Sequence, residues 1–162
     1  MSGKPAGERP GMLLRDMLLT AKPSAFKVEP VSELPRVWAT LMEMRMSGVT
    51  VSLAAVCDGT TSLYFSNGGG IIGGGGHESV RAANRKLLMF IETGLDLFVP
   101  MERPLEVLDG AVSFAVMTYE GLRGARDEEK KVKERRSPLW PAFYLGQDVI
   151  TALRLTEEKS ER

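Results

Sequence analysis

Residues 33–66 read ELPRVWATLMEMRMSGVTVSLAAVCDGTTSLYFS, and the place where their period changes decides the fold. Up to Met46 the apolar positions Val37, Trp38, Leu41 and Met42 suit one helical face, followed by Arg45. Ser32 stands as the N-cap and Pro35 lies in the first turn. A helix is therefore expected over Glu33–Met46, stopped by Gly48. From Val49 the period becomes two, with Val49, Val51, Leu53, Ala55 and Cys57 on one side of a strand. Asp58-Gly59 supplies a turn dipeptide, and Thr61–Ser66 closes a hairpin in which Leu63 and Phe65 alternate with Tyr64.

Beyond a glycine run, Val80, Ala83, Leu87, Phe90 and Ile91 mark the face of a second helix, with Gly94 as its C-cap. Pro100 and Pro104 punctuate a loop before a strand over Ala111–Tyr119. Glu120-Gly121 then turns the chain into Leu122–Arg126. A charge run from Asp127 to Arg136 interrupts the pattern. Ser137-Pro138 opens a last helix whose apolar face, Leu139, Phe143, Gly146, Val149, Ile150 and Leu153, reaches about Thr156. The two first strands echo each other, Ser52-Leu53-Ala54-Ala55-Val56 beside Ser113-Phe114-Ala115-Val116-Met117.

Ahead of this body, residues 1–30 read as a flexible arm. It holds a short amphipathic helix over Gly11–Thr20 with Leu14, Met17 and Leu18 on one face, then a linker from Ala21 to Pro30. The helix is too short to stand alone and must dock on its own subunit or on another. Residues 31–156 form a single α+β domain, and 157–162 read as a disordered tail. The expected fold is an antiparallel sheet of two hairpins packed against helices, in the order α-β-β-α-β-β-α.

That layout, carried by Val49–Ser66 around Asp58-Gly59, by Val80–Ile91 and by Val112–Ala125 around Glu120-Gly121, resembles the roadblock, longin and profilin-like α+β domains. The resemblance is one of topology and brings no catalytic motif. Such domains commonly dimerise or scaffold small GTPases and other partners. It implies a non-enzymatic interaction or regulatory module, a homodimer open to a protein partner, with no cofactor.

Composition narrows the alternatives. The 162 residues are 43% hydrophobic and 26% charged, and 21 basic residues balance 21 acidic ones, which removes a whole-chain argument for nucleic acid or an anionic membrane. Cys57 and His77, each the sole residue of its type, rule out an internal disulfide and disfavour a Cys/His zinc site, so no metal is expected. The polar start from Met1 to Pro10 has no apolar leader segment. The expectation is a cytoplasmic protein, neither secreted nor inserted in a membrane. The methionines 42, 44 and 46 cannot all face one core from a helix, which favours an exposed apolar surface and self-association.

The candidate site is the run Gly68-Gly69-Gly70-Ile71-Ile72-Gly73-Gly74-Gly75-Gly76, which has seven glycines in nine positions. Each glycine costs order, so the run calls for positive φ angles, close backbone approach or mobility. Gly68-x-Gly70-x-x-Gly73 fits the dinucleotide fingerprint, but a run this rich fits almost any glycine pattern. No Gly-Lys-Ser/Thr follows, which excludes a P-loop. The alternative function is a phosphate or nucleotide site made by these glycines with His77, Ser79 and Arg81. Glu78 opposes it by supplying a carboxylate to the same helix start. His77 with Glu78 or Asp58 is a general-base candidate, weighed against an exposed helix-start residue, and no catalytic residue is assigned. Cys57 reads as a small core residue, and Asp58 and Glu120 as turn residues. Between Arg123 and Arg136, seven basic residues mix with four acidic ones as a solvated segment.

Overall fold

The stretch from Val37 to Met46 is a strand, which corrects the helix expected over Glu33–Met46. The computed structural model describes residues 10–20, 22–71 and 74–160. Within them β1 (Val37–Met46) is the middle of a seven-stranded antiparallel sheet. The others are β2 (Val49–Val56), β3 (Thr61–Phe65), β4 (Gly70–Ile71), β5 (Val99–Met101), β6 (Ala111–Thr118) and β7 (Gly121–Glu128). Their spatial order is β4-β3-β2-β1-β6-β7-β5. The helices are α1 (Pro10–Thr20), α2 (Glu78–Thr93), α3 (Glu129–Lys133) and α4 (Trp140–Ser160).

Burial explains why β1 escapes a periodicity reading. Every residue from Val37 to Met44 is buried, because β1 pairs on both edges and is covered on both faces. A continuous apolar run cannot distinguish a buried strand from a buried helix, and Leu, Met, Glu and Arg are good helix formers in isolation. Met42 and Met44 enter the core beneath α2 and α4, whereas Ala39 and Leu41 enter a second core on the opposite face. Ser47 and Gly48, at φ 54° and 78°, turn the chain directly from Met46 into its partner Val49. Two consecutive positive φ values are the signature of a type I′ hairpin turn, so Gly48 reverses a strand and stops no helix.

The echo between residues 52–56 and 113–117 has a spatial counterpart. Glu43 pairs with Ser52 on one side and Ser113 on the other, Met42 with Leu53 and Phe114, and Leu41 with Ala54 and Ala115. The two similar segments are the two neighbours of β1, held at the same register.

One face of the sheet packs on α2 through Val80, Leu87 and Ile91, and on α4 through Phe143, Val149 and Leu153. Gly146 lets α4 come down onto β1, since a Cβ there would lie 2.6 Å from Met42 Cε. The other face carries α1 and the short 3-10 turn Pro23–Phe26, where Phe26 meets Trp38 with ring centroids 5.4 Å apart. Leu18 of α1 is fully buried, but Met17 is 50% exposed, so the expected pairing of these two residues on one buried face does not hold. The side chain of Leu14 and residues 1–9 lie outside the described set. The charge run ends β7 and forms α3, and α4 continues to Ser160, where a disordered tail was expected from 157. Among the described residues no helix is long and apolar enough to cross a membrane.

Two buried carboxylates tie helices to the sheet. Glu92 near the end of α2 accepts the backbone N–H groups of Arg36 at 2.8 Å and Val37 at 2.9 Å, and the Arg36 guanidinium at 2.6 Å. Glu43 in β1 accepts Arg15 of α1 through Nε at 2.6 Å and Nη2 at 2.9 Å, and Ser52 Oγ at 2.5 Å.

Candidate functional site

The glycine run builds a packed corner. Gly68, at φ +109°, donates to Phe65 O and Gly69 O accepts from Phe65 N, both at 2.9 Å, which closes the turn after β3. Gly70 lies in β4 so close to β3 that a Cβ would sit 2.6 Å from Leu63 O. Gly74–Gly76 make one 3-10 turn, in which a Cβ on Gly75 would sit 2.8 Å from Gly59 O. Arg81 lies over Gly59 and donates to Gly75 O at 2.9 Å, and the buried Asn84 donates to Thr61 Oγ1 at 2.7 Å. Of the expected ligand-binding set, the corner thus brings Gly75 and Arg81 together beside the Asp58-Gly59 turn. Gly73 lies outside the described residues.

His77 and Ser79 stand apart from this corner. His77 is exposed at the N-cap position of α2 without a side-chain capping bond, and Ser79 faces a groove between helices. Asp58 Oδ1 accepts from the Thr60 N–H at 2.8 Å, as expected of a turn residue. Close approach predicts a graded response. Gly70→Ala and Gly75→Ala should each cost about 1–3 kcal/mol of overpacking. Gly76→Ala, with nothing within 4 Å of its Cβ, should leave thermal unfolding unchanged.

Cys57 packs partly against both cores, beside Tyr119. Burial pushes the thiol up from its ordinary value, which disfavours a thiolate nucleophile. Burial and the neighbouring Cys57 push the Tyr119 phenol up to about 12. No group of three His, Cys, Asp or Glu residues among the described residues has the arrangement of a metal site.

Two concave surfaces were invisible to the sequence reading. One is a groove of about 440 Å³ between α2 and α4, floored by Ala82, Ala83, Leu145 and Ala152 and edged by Leu155, which is 54% exposed. Lys86 stands on its α2 side and Asp148 on its α4 side, and neither has an ion-pair partner among the described residues. The other is a pocket of about 460 Å³ where α4 crosses the open end of β1, β2 and β3. The chain matches no family model, no curated protein and no solved structure. The groove combines an apolar floor with one charge of each sign, and the pocket combines apolar walls with a cation at its rim.

Proposed function

We propose that this chain is a non-enzymatic, self-associating interaction module that pairs with a second copy through the α2–α4 groove. The observation that carries the reading is the placement of Lys86 and Asp148 on opposite helices across an apolar floor. A two-fold interface uses the same patch twice, so a surface with one cation and one anion is complementary to itself. Lys86 of each copy meets Asp148 of the other, and the exposed Leu155 is covered.

The sheet edges support this choice over edge-to-edge pairing. β4 is two residues long, and β5 carries Pro100, which lacks an N–H to donate. From the roadblock, longin and profilin-like resemblance we keep the expectation of a partner-binding, dimerising domain. Its supports are the two hairpins, β2–β3 and β6–β7, and helix α2.

Sedimentation equilibrium on the full chain tests the proposal. The expected species is a dimer, weakened roughly tenfold by Lys86→Glu through like-charge contact and restored by the double variant Lys86→Glu/Asp148→Lys. A monomer at every concentration, or a dimer indifferent to both substitutions, would sink it.

A further inference from the structure

The pocket beneath α4 is built from segments far apart in the chain. Past the contact of Gly146 on Met42, the strand continues along the same face to Met44 and Met46, while α4 continues to Gln147, Ile150 and Arg154. Phe143, Gln147, Ile150 and Arg154 recur at helical spacing, so one face of α4 forms the whole roof. Val51 and Phe65 close the floor. The volume of about 460 Å³ falls within the range of small-molecule sites.

The walls are fixed where rigidity matters and soft where shape must adapt. Tyr144 at the rim donates its hydroxyl to Lys133 O at 3.0 Å, and the Arg135 guanidinium carbon stands 5.8 Å from its ring centroid. Met44 and the half-exposed Met46 supply flexible, polarisable side chains that mould to an apolar body.

Charge chooses the ligand's other end. The rim holds Glu129, Lys133 and Arg154. Lys133 Nζ pairs with Glu129 Oε1 at 2.5 Å, so these two cancel. The Arg154 side chain has no ion-pair or hydrogen-bond partner among the described residues, and Gln147 lies two helical turns before it on the same face of α4. A planar guanidinium at the mouth of an apolar pocket matches a carboxylate in the bidentate manner. We infer that this pocket binds a small free monocarboxylate with an unbranched apolar body, the body against Met44, Met46 and Phe65 and the carboxylate on Arg154.

The inference is independent of self-association, because the pocket shares no residue with the α2–α4 groove. The probe is sodium decanoate, below its aggregation concentration, titrated into the full-length chain with methyl-labelled methionine. Saturable shifts of the Met44 and Met46 methyl signals are expected. Decanol should bind roughly tenfold more weakly than decanoate, and Arg154→Gln should lose about the same factor for decanoate only. Because Arg154 is exposed, its replacement leaves the core intact, and Val51→Phe gives a second variant that fills the pocket and abolishes both titrations. An absence of saturable shifts at Met44 and Met46 overturns the inference. Equal affinity for decanoate and decanol overturns it as well, because the carboxylate then has no partner.

Discussion

Glu92→Ala is expected to destabilise the fold by about 3 kcal/mol, a drop of roughly 10 °C in thermal unfolding for a chain of this size. The Glu92 side chain is only 8% exposed and closes the end of α2 against the entry to β1. One carboxylate oxygen serves two consecutive backbone donors, Arg36 N and Val37 N, and the other takes the Arg36 guanidinium. Arg36 also donates through Nη2 to the Glu92 carbonyl at 2.7 Å. Alanine removes the acceptor and strands a buried N–H on Val37, which is itself fully buried. Burial alone would raise this carboxyl, but the hydrogen bonds from Val37 and Arg36 outweigh it and hold it below the usual range. A depressed folded-state value means that the contribution is present above the unfolded value of about 4.3 and is lost as the pH falls through the folded one. Urea unfolding of the wild type should therefore weaken more steeply below about pH 4 than that of Glu92→Gln. Parallel acid limbs for the two proteins would show that the carboxylate's charge contributes nothing to this junction.

Arg15→Ala should cost about as much, roughly 3 kcal/mol, for the opposite reason: it leaves a charge behind. Glu43 lies mid-sheet under α1 with a side chain 5% exposed. Without Arg15 its remaining side-chain donor is Ser52 Oγ. Its other cross-strand neighbour, Ser113, is buried, and its hydroxyl has no hydrogen-bond partner among the described residues. A carboxylate so placed must either stay poorly solvated or gain water by lifting α1, which would expose Leu18 and the face around Trp38. The double variant Arg15→Ala/Glu43→Gln should recover most of the loss, because the amide needs no counter-charge. The check is a denaturation cycle combined with hydrogen exchange along α1. Additive losses, with exchange in α1 unchanged, would mean that the helix docks through Leu18 and the loop alone.

Helices α2 and α4 were legible through a period of about 3.6 on one buried face. β2 and β3 were legible through alternation around the Asp58-Gly59 turn, and β6, although buried at every position, through its Val, Phe and Thr content ahead of Glu120-Gly121. β1 is buried on both faces as β6 is, but its Leu, Met, Glu and Arg content reads as helix-forming. The strand signal lay in Met42, Met44 and Met46, whose alternation sits awkwardly on a helix and naturally on a strand. Ser47-Gly48 was a second missed signal, since a dipeptide able to take two positive φ values reads as a hairpin as readily as a helix stop. β4 and β5, at two and three residues, are too short to carry any pattern. The glycine run was legible in kind, close approach being one of its three possible reasons, but not in its partners, Leu63 and Gly59. The groove and the pocket were out of reach of sequence reading, because Met46, Phe65, Lys133 and Arg154 become neighbours only once the sheet is assembled.

The matched registers of β2 and β6 leave the two edges of β1 nearly interchangeable. Either strand, laid antiparallel on either edge, offers β1 a serine opposite Glu43 and an alanine opposite Leu41. Side-chain complementarity along β1 therefore does little to say which strand belongs on which side. Chain connectivity supplies the missing information. A two-residue turn delivers β2 to its edge at small entropic cost, whereas β6 arrives only after a far longer loop closes. The order of arrival sorts two strands whose registers along β1 match, so lengthening the turn at Ser47-Gly48 would act on which topology forms before it acted on how stable that topology is.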